Sequence, residues 1–549
     1  MSKKKLDIWF VITLLIFGLY VLFMFYPLLS LFKSAVVDPE SGKFTLAFFK
    51  KFFSKKYYTN TVVNSFIVTG WVTVMAVLVA VPLAYIMTTI KIKGAEIIRI
   101  LILISSMSAP FIGAYSWILL LGRNGSITNF LSKLFGIQMP SIYGLPGIVL
   151  VLTLQLVPLV FMYVSGALKN MDSSLIEAAE SMNCTGIRKM IRVVLPLILP
   201  TVLAAAILVF MRAIADFGTP MLIGEGFKTI PVLVYSEFMG ENGGSEGFAA
   251  AMSLMVIVLT TTAFLIQQVI SKKLSYSMNA TSPIQPKRAK GLWNVLAHAF
   301  VYLYLLVALL PQFCVIETSF RKTQGIVFKE GYSLASYASA FSKMGVAIKN
   351  TLTLGAVSLV CIVFISVLIA YVSVRRANAI SGGLDVATMF PYIVPGSILG
   401  ISLITAFNTK PLLFTGTAFI LVVAFTIKRM PYTVRSSAAI LRSIGVSTEE
   451  AALSLGASNM KTFFKVTLPM MMSGVVSGAI MSWITIITEL SSSILLYTGR
   501  TKTMTIAIYT EVVRGNYGVA AALSTILTVI TVCSIFIMFK ITGSREISM

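Results

Sequence analysis

Long apolar runs separated by short polar loops dominate the chain. A helix that spans a bilayer needs about 20 mostly apolar residues, and twelve runs have roughly that length or more. The first run continues to about Leu31 without a small-residue cleavage site, so it is interpreted as a spanning helix rather than a signal peptide. The runs predict helices near 8–31, 61–89, 97–121, 145–168, 196–222, 248–270, 293–315, 351–372, 384–407, 412–430, 469–489 and 518–540.

Composition supports a membrane protein of the all-α class. Hydrophobic residues make up 57% of the 549 residues and charged residues only 12%, which is too apolar for a soluble domain. A single histidine and four scattered cysteines predict neither a metal site nor a disulfide framework. The net charge of +24 is spread over loops, so we expect no nucleic-acid partner, and the bilayer is the expected environment. Pro110, Pro158 and Pro395 are expected to bend the helices that contain them.

One polar stretch occurs twice. Residues 174–196 recur as 447–469 without a gap, and each position in the second copy carries a number 273 higher. An ungapped repeat of this kind predicts two related halves. We place the first repeat at residues 1–270, a cytoplasmic linker at 271–292 and the second repeat at 293–549. Six helices in each half make the repeats parallel, and more Lys and Arg fall inside if the amino terminus is cytoplasmic.

Each copy is predicted to form two short helices joined by a sharp turn. Ser174 with Glu177 and Ser447 with Glu450 have the spacing of a capping box. The turn is expected at Gly456, with Asn183 at the equivalent position, because these two residue types tolerate a left-handed backbone. A basic helix and a Leu-Pro pair follow. One face of the first short helix is predicted to be apolar and to comprise Leu175, Ala178, Ala179 and Met182.

The repeated stretch resembles the cytoplasmic loop motif of the membrane subunits of binding-protein-dependent ABC importers. The motif is Glu-Ala-Ala, three residues, Gly, a spacer and Leu-Pro. The second copy fits it fully, and the first departs only in having Asn for Gly. The residues that carry the resemblance are Glu177, Ala178, Ala179 and Asn183 in the first copy and Glu450, Ala451, Ala452 and Gly456 in the second.

The resemblance implies a type I ABC importer permease fold in the bacterial plasma membrane, with many membrane passes. It implies that each loop docks into a groove of one of two cytoplasmic ATP-binding subunits, and that a substrate-binding protein delivers the solute from outside. The chain has no phosphate-binding loop of its own, so we expect no enzyme activity and no cofactor, with ATP bound by the partner. The alternative is that Glu177 and Glu450 are only helix caps.

Two acidic residues lie near the ends of predicted spans. Asp216 and Glu489 also differ by 273 in number, and Arg212 lies one helical turn before Asp216, where it could pair with it. Ionisable residues in a membrane are costly and are therefore candidates for function. One interpretation places Arg212, Asp216 and Glu489 along the translocation pathway; the other is that the acids cap a helix end or orient the loop that follows.

The DFGTP and ELSSS segments around these acids, in a double-length permease, resemble the branch that imports ferric iron. Relatives in that branch carry thiamine, aminoethylphosphonate or sugar phosphates. Two further functional classes stay open at this point. Twelve helices in two parallel halves would also suit a proton-coupled secondary transporter, although so few intramembrane acids argue against it. An intramembrane enzyme is the weakest alternative, because the chain offers no His pair and no Cys–His arrangement.

Overall fold

The computed structural model describes residues 8–105, 110–138, 140–240, 245–274, 284–289, 291–325 and 327–542. In the first half of the chain the helices are α1 Ile8–Val36, α2 Ala47–Ser54, α3 Lys56–Thr89, α4 Ala95–Ser105, α5 Pro110–Leu121, α6 Ser126–Phe135, α7 Leu145–Lys169, α8 Ser173–Ser181, α9 Gly186–Lys189, α10 Met190–Ile214, α11 Gly218–Ile223, α12 Ile230–Met239 and α13 Glu246–Leu274.

The second half begins with a long helix, continues through one small antiparallel hairpin and is then helical to its end. Its elements are α14 Gly291–Phe320, β1 Arg321–Gln324, β2 Val327–Tyr332, α15 Ala335–Arg375, α16 Ala379–Ala387, α17 Phe390–Ile393, α18 Gly396–Phe407, α19 Ala418–Ser443, α20 Val446–Ser454, α21 Asn459–Ile487, α22 Ser493–Leu496, α23 Met504–Val513 and α24 Tyr517–Thr542. The prediction of an all-α, polytopic membrane protein is confirmed.

Fewer helices among the described residues qualify as membrane spans than the sequence predicted for the chain. Within the described ranges, nine helices are long and apolar enough to cross a bilayer, or ten if one bent pair counts as a span. In the run at 97–121 the structure describes α4 and α5, and residues 106–109 between them lie outside the described residues. The run at 412–430 became α19, which starts later, continues to Ser443 and carries Lys428, Arg429, Arg435 and Arg442. The described residues therefore contain nine or ten candidate spans where the sequence predicted twelve.

Proline explains the bent pair but not every expected bend. The run at 384–407 forms helices that meet at 111° on either side of Pro395. Val394, just before it, has an extended backbone with φ −82° and ψ 117°, which is the conformation that a following proline favours. Pro110 instead begins α5, and Pro158 stays inside the continuous helix α7.

The packing of the helices defines two compact units that do not coincide with the two halves of the sequence. Unit one comprises the described residues up to Lys50, Val234–Leu254 and those from Ser319 onward. Unit two comprises Lys51–Leu233 and the described residues from Met255 to Thr318. Helix α1 therefore packs with residues of the second half, and most of α14 packs with residues of the first half.

Each unit has its own buried core. In unit two, Val72, Ala76 and Ala80 are fully buried at a spacing of four along α3, which lets the backbones of neighbouring helices approach closely. In unit one, the ring of Trp9 on α1 lies 4.4 Å from that of Tyr371 and 5.0 Å from that of Phe463, measured between centroids. These contacts hold α1 in unit one.

Candidate functional site

The two loops predicted to contact the ATPase each contain the first of the two expected short helices. The first loop, 172–186, contains α8, and the second loop, 445–458, contains α20. After each loop the chain enters a long helix through one π-helical turn, Met190–Val194 or Phe463–Thr467. The widened turn lies where Pro196 and Pro469 would clash with the carbonyl four residues earlier in a regular α-helix. The basic stretch is thus the start of the next long helix.

The capping boxes predicted for both loops are wrong. Helix α8 begins at Ser173, and Asp172 caps it by accepting a 3.0 Å hydrogen bond from the backbone N–H of Ser174. Helix α20 is preceded by Gly445, which has no side chain to bond the first turn. Asp172 lies upstream of Ser174 and takes the N-cap position, so Ser174 falls inside the helix.

The left-handed turn is confirmed in both loops. Asn183 has φ 61° and Gly456 has φ 83°. The N–H of Cys184 donates to the carbonyl of Ala179 at 2.9 Å, and the N–H of Ala457 donates to that of Ala452 at 3.1 Å. These bonds satisfy helix carbonyls that would otherwise lack a partner, as in a Schellman motif.

We expect Asn183→Gly to leave stability and ATPase co-purification close to the parent, because Gly adopts positive φ freely. Gly456→Val should destabilise the second loop by roughly 1–2 kcal/mol or more, because a left-handed backbone brings Cβ too close to the following carbonyl. Nothing lies within 4 Å of a Cβ built at Gly456, so a clash with neighbours cannot cause the effect. Thermal unfolding and co-purification measure both variants; equal behaviour of the two would contradict this account of the turn.

The tip of each loop exposes one large apolar residue. Met182 in the first loop is 84% exposed and its equivalent Leu455 is 90% exposed. Glu177 and Glu450 are exposed on the preceding helices. Of the apolar face predicted on α8, Leu175, Ala178 and Met182 are exposed, and Ala179 is buried, as is Ile176. Exposed apolar side chains at equivalent places are typical of a protein-binding surface.

A buried ion pair fixes the second loop, and the sequence reasoning missed it. The Nε atom of Arg375 donates to Oε1 of Glu449 at 2.9 Å, and both side chains are about nine-tenths buried. Arg375 also donates to the carbonyls of Leu441 and Ile444, at 3.1 and 2.7 Å. Glu449 immediately precedes Glu450, the residue that matches the Glu of the Glu-Ala-Ala motif, so the sequence analysis did not single it out. The equivalent of Glu449 in the first loop is Ile176, so that loop is held by apolar contact.

The first loop has its own exposed ion pairs. Lys189 donates to Glu180, and this hydrogen bond holds the pKa of the Glu180 carboxyl below its usual value. The Nζ atom of Lys287 lies 3.9 Å from Oε1 of Glu177. The backbone N–H of Lys287 also donates to the carbonyl of Thr89 at 2.9 Å. The described part of the predicted linker therefore contacts the first loop.

Glu489 lies in a buried cluster of charged and hydroxyl groups in unit one. Its side chain is only 1% exposed. Its Oε1 accepts hydrogen bonds from Nζ of Lys428 at 3.1 Å and from the backbone N–H of Ser492 at 3.1 Å, and its Oε2 accepts one from Arg429. A Cβ at Gly396 would overlap Nζ of Lys428, so this glycine makes room for the lysine. Lys428 and Arg429 lie in the run at 412–430, which the sequence analysis interpreted only as a membrane span. Two adjacent basic residues in an apolar run could have indicated a buried charged cluster.

Asp216 makes the equivalent backbone contact in unit two. Its Oδ1 accepts a 2.9 Å hydrogen bond from the N–H of Thr219, three residues on, as Glu489 does from Ser492. Arg212 is exposed in the last turn of α10. The bonds made by the two acids fit the alternative in which they cap the chain after a helix. The pathway role of Arg212, Asp216 and Glu489 stays a prediction.

Comparison with known proteins decides the family. The sequence pattern of the family described as "Binding-protein-dependent transport system inner membrane component" matches residues 73–276 and again 348–542. The chain belongs to this family. Each match includes one complete loop, so the permease function implied by the Glu-Ala-Ala motif is confirmed. The chain is the permease subunit of an ABC importer and a multi-pass protein of the bacterial inner membrane. The family assignment therefore rules out the alternative of a proton-coupled secondary transporter.

Relatives named for ferric iron match this permease over most of its length. A ferric transport system permease protein FbpB of Actinobacillus pleuropneumoniae is 27% identical over 98% of this chain and 78% of its own. A putative ferric transport system permease protein FbpB 1 of Haemophilus influenzae is 27% identical over 89% of this chain and 78% of its own. A putative 2-aminoethylphosphonate transport system permease protein PhnU of Salmonella typhimurium is 26% identical over 47% of this chain and 89% of its own.

Proposed function

We propose that this permease forms the translocation pathway of an importer for ferric iron. The observation that carries the proposal is the similarity to a permease named for ferric transport over 98% of the chain. Because that alignment includes both repeats and the segment between them, it supports a double-length permease of the same kind. We also propose that the two ATP-binding subunits lie on the cytoplasmic side and that an extracytoplasmic binding protein delivers the solute.

Aminoethylphosphonate is the second candidate substrate. The relative named for it matches 47% of the chain, which is less than the ferric relatives match. Thiamine and sugar phosphates stay as substrates that the sequence resemblance allows. The sign of the charge separates the first two candidates, because ferric iron is a cation and the phosphonate group is an anion.

Uptake by the reconstituted importer tests the substrate. Proteoliposomes would contain the permease with its ATP-binding subunits and the binding protein encoded with it. Radioactive ferric iron and labelled 2-aminoethylphosphonate would be offered separately, with ATP inside the vesicles. ATP-dependent accumulation of iron alone supports the proposal, and accumulation of the phosphonate alone overturns it.

We propose further that each loop docks one ATP-binding subunit. The support is the pair of equivalent surfaces formed by Met182 with Glu177 and by Leu455 with Glu450. All four residues are exposed in the permease, so a partner can reach them without unfolding either loop. Both surfaces immediately precede a left-handed turn, at Asn183 or at Gly456, and this shared geometry suits two copies of one partner.

We expect the double variant Glu177→Ala, Glu450→Ala to lose most substrate-stimulated ATPase activity and transport while its thermal stability stays close to the parent. Both carboxylates are exposed, so their removal from the free permease costs little. ATPase assays with and without loaded binding protein, together with thermal unfolding, measure the two effects. Ser181→Ala, also on α8 and exposed, is the matched control. Parental stimulated activity in the double variant would contradict docking through these acids.

A further inference from the structure

One helix, α6, is present only in the first half. Tyr85 on α3 and Tyr371 on α15 follow an alanine in similar sequences and differ by 286 in number, whereas Pro158 and Pro431 differ by 273. Between these two points the first half is therefore 13 residues longer than the second. The connection from α5 to α7 comprises residues 122–144, which is 23 residues, and the connection from α18 to α19 comprises residues 408–417, which is 10. The 13 additional residues therefore belong to the connection that contains α6.

Helix α6 has a regular apolar stripe. Ile127, Phe130, Leu131, Leu134 and Phe135 occupy positions i, i+3, i+4, i+7 and i+8, which lie on one face of an α-helix. The opposite face consists of Asn129, Ser132 and Lys133. Lys133 is the single charged residue of the helix.

The protein leaves most of this stripe uncovered. No residue of α6 is buried, and Phe130, Leu134 and Phe135 are 57%, 63% and 61% exposed. Ile137, just after the helix, is 51% exposed. Four large apolar side chains thus lie together on the surface, which is more than scattered exposure explains.

The place from which α6 leaves the protein is fixed. Arg123 lies 3.0 Å from Oε1 of Glu225, and its guanidinium lies 5.0 Å from the ring centre of Tyr143. A Cβ at Gly125 would lie 2.4 Å from the carbonyl oxygen of Leu120, so the chain closes tightly before the helix begins. The exposed face therefore belongs to a helix whose start contacts other residues of unit two.

The connectivity places α6 beside the membrane. Four residues separate the end of the apolar helix α5 from Ser126, so the two ends are at most about 18 Å apart even when this segment is extended. Nine residues, 136–144, separate α6 from α7, which is one of the candidate spans and ends at the first loop. Helix α6 therefore lies on the side of the membrane opposite to the proposed ATPase-docking loop, which is the outer side. An amphipathic helix tied on both sides to apolar helices lies within reach of the headgroup region.

We propose that α6 lies in the plane of the outer bilayer surface and buries its apolar stripe among the lipids. Phe130, Leu134 and Phe135 enter the boundary between headgroups and acyl chains, and Asn129 and Lys133 face water or headgroups. This contact with lipid fixes the first half of the permease at the membrane surface at one additional point. The inference does not depend on the identity of the transported solute.

Spin labels on the two faces of α6 test the proposal. Phe130→Cys and Leu134→Cys report the apolar face, and Asn129→Cys and Lys133→Cys are the matched controls one residue away. Each would be made in a chain with Cys184, Cys314, Cys361 and Cys533 replaced by Ser, reconstituted in phosphatidylcholine–phosphatidylglycerol vesicles. Accessibility to oxygen and to a water-soluble nickel chelate would be measured with and without the binding protein.

We expect labels at 130 and 134 to be more accessible to oxygen than to the nickel chelate, and labels at 129 and 133 to show the reverse. Equal access of the chelate to all four sites overturns the proposal, because the helix then stands in water. Protection of the labels at 130 and 134 from both reagents also overturns the proposal. If the labels are protected only when the binding protein is present, the face docks a protein. If they are protected in its absence as well, the permease itself covers the face.

A second measurement applies if the cysteine-free chain does not fold. Phe130→Trp in the otherwise unchanged permease adds one fluorophore to the five native tryptophans. We expect lipids brominated on the upper acyl chain to quench the added emission, with Asn129→Trp as the control that they do not quench. Equal quenching of the two added emissions by aqueous iodide, with none by brominated lipid, overturns the proposal.

Discussion

Glu489→Ala is expected to lower the free energy of unfolding by about 3–5 kcal/mol, because it leaves Lys428 and Arg429 in the protein interior without this carboxylate. The substitution also removes the bond to the N–H of Ser492, so the turn into α22 loses its cap. Thermal unfolding of the purified permease in detergent measures the loss. Asp216→Ala is the matched comparison. It should cost less, about 0.5–2 kcal/mol, the usual cost of a lost side-chain cap.

A charge-free triple variant separates electrostatics from packing. Glu489→Leu combined with Lys428→Met and Arg429→Met removes the acid and both cations together. Replacing a whole buried ion cluster by apolar residues of similar volume is often neutral, so the triple variant should recover much of the stability lost in Glu489→Ala. Parental unfolding of Glu489→Ala would contradict the structural role assigned to this cluster.

Arg375→Met is expected to cost about 3–5 kcal/mol, because Glu449 then stays buried without its cation. The carbonyls of Leu441 and Ile444, at the end of α19, lose their donor in the same variant. The second loop should therefore open more often. Thermal unfolding and limited proteolysis at residues 445–458 measure the two consequences.

The first loop supplies the control for this prediction. Its residue equivalent to Glu449 is Ile176, which is buried without an ion pair. Arg375→Met combined with Glu449→Ile should therefore recover most of the stability that Arg375→Met loses. Arg375→Met with parental stability and parental resistance to proteolysis would show that the ion pair does not hold the loop.

The sequence by itself determined the class of protein and its repeated loop. Long apolar runs require a membrane environment whatever their packing, so the all-α polytopic fold followed from composition. The turns at Asn183 and Gly456 could be placed because a left-handed backbone is a local property of one residue. The motif around Glu177 and Glu450 indicated the family for the same reason, since it is a contiguous pattern.

Other features depended on which residues come together from distant parts of the chain, and only the tertiary structure decided them. The burial of Glu449 rather than its neighbour Glu450 depends on Arg375, which precedes it by 74 positions. The bonds of Glu489 depend on Lys428 and Arg429, about 60 positions earlier. The packing of α1 with the second half depends on ring contacts of Trp9 with Tyr371 and Phe463. Local sequence patterns indicate which residues can be buried or paired. Which of these residues are in fact buried or paired depends on the side chains that the tertiary fold brings next to them.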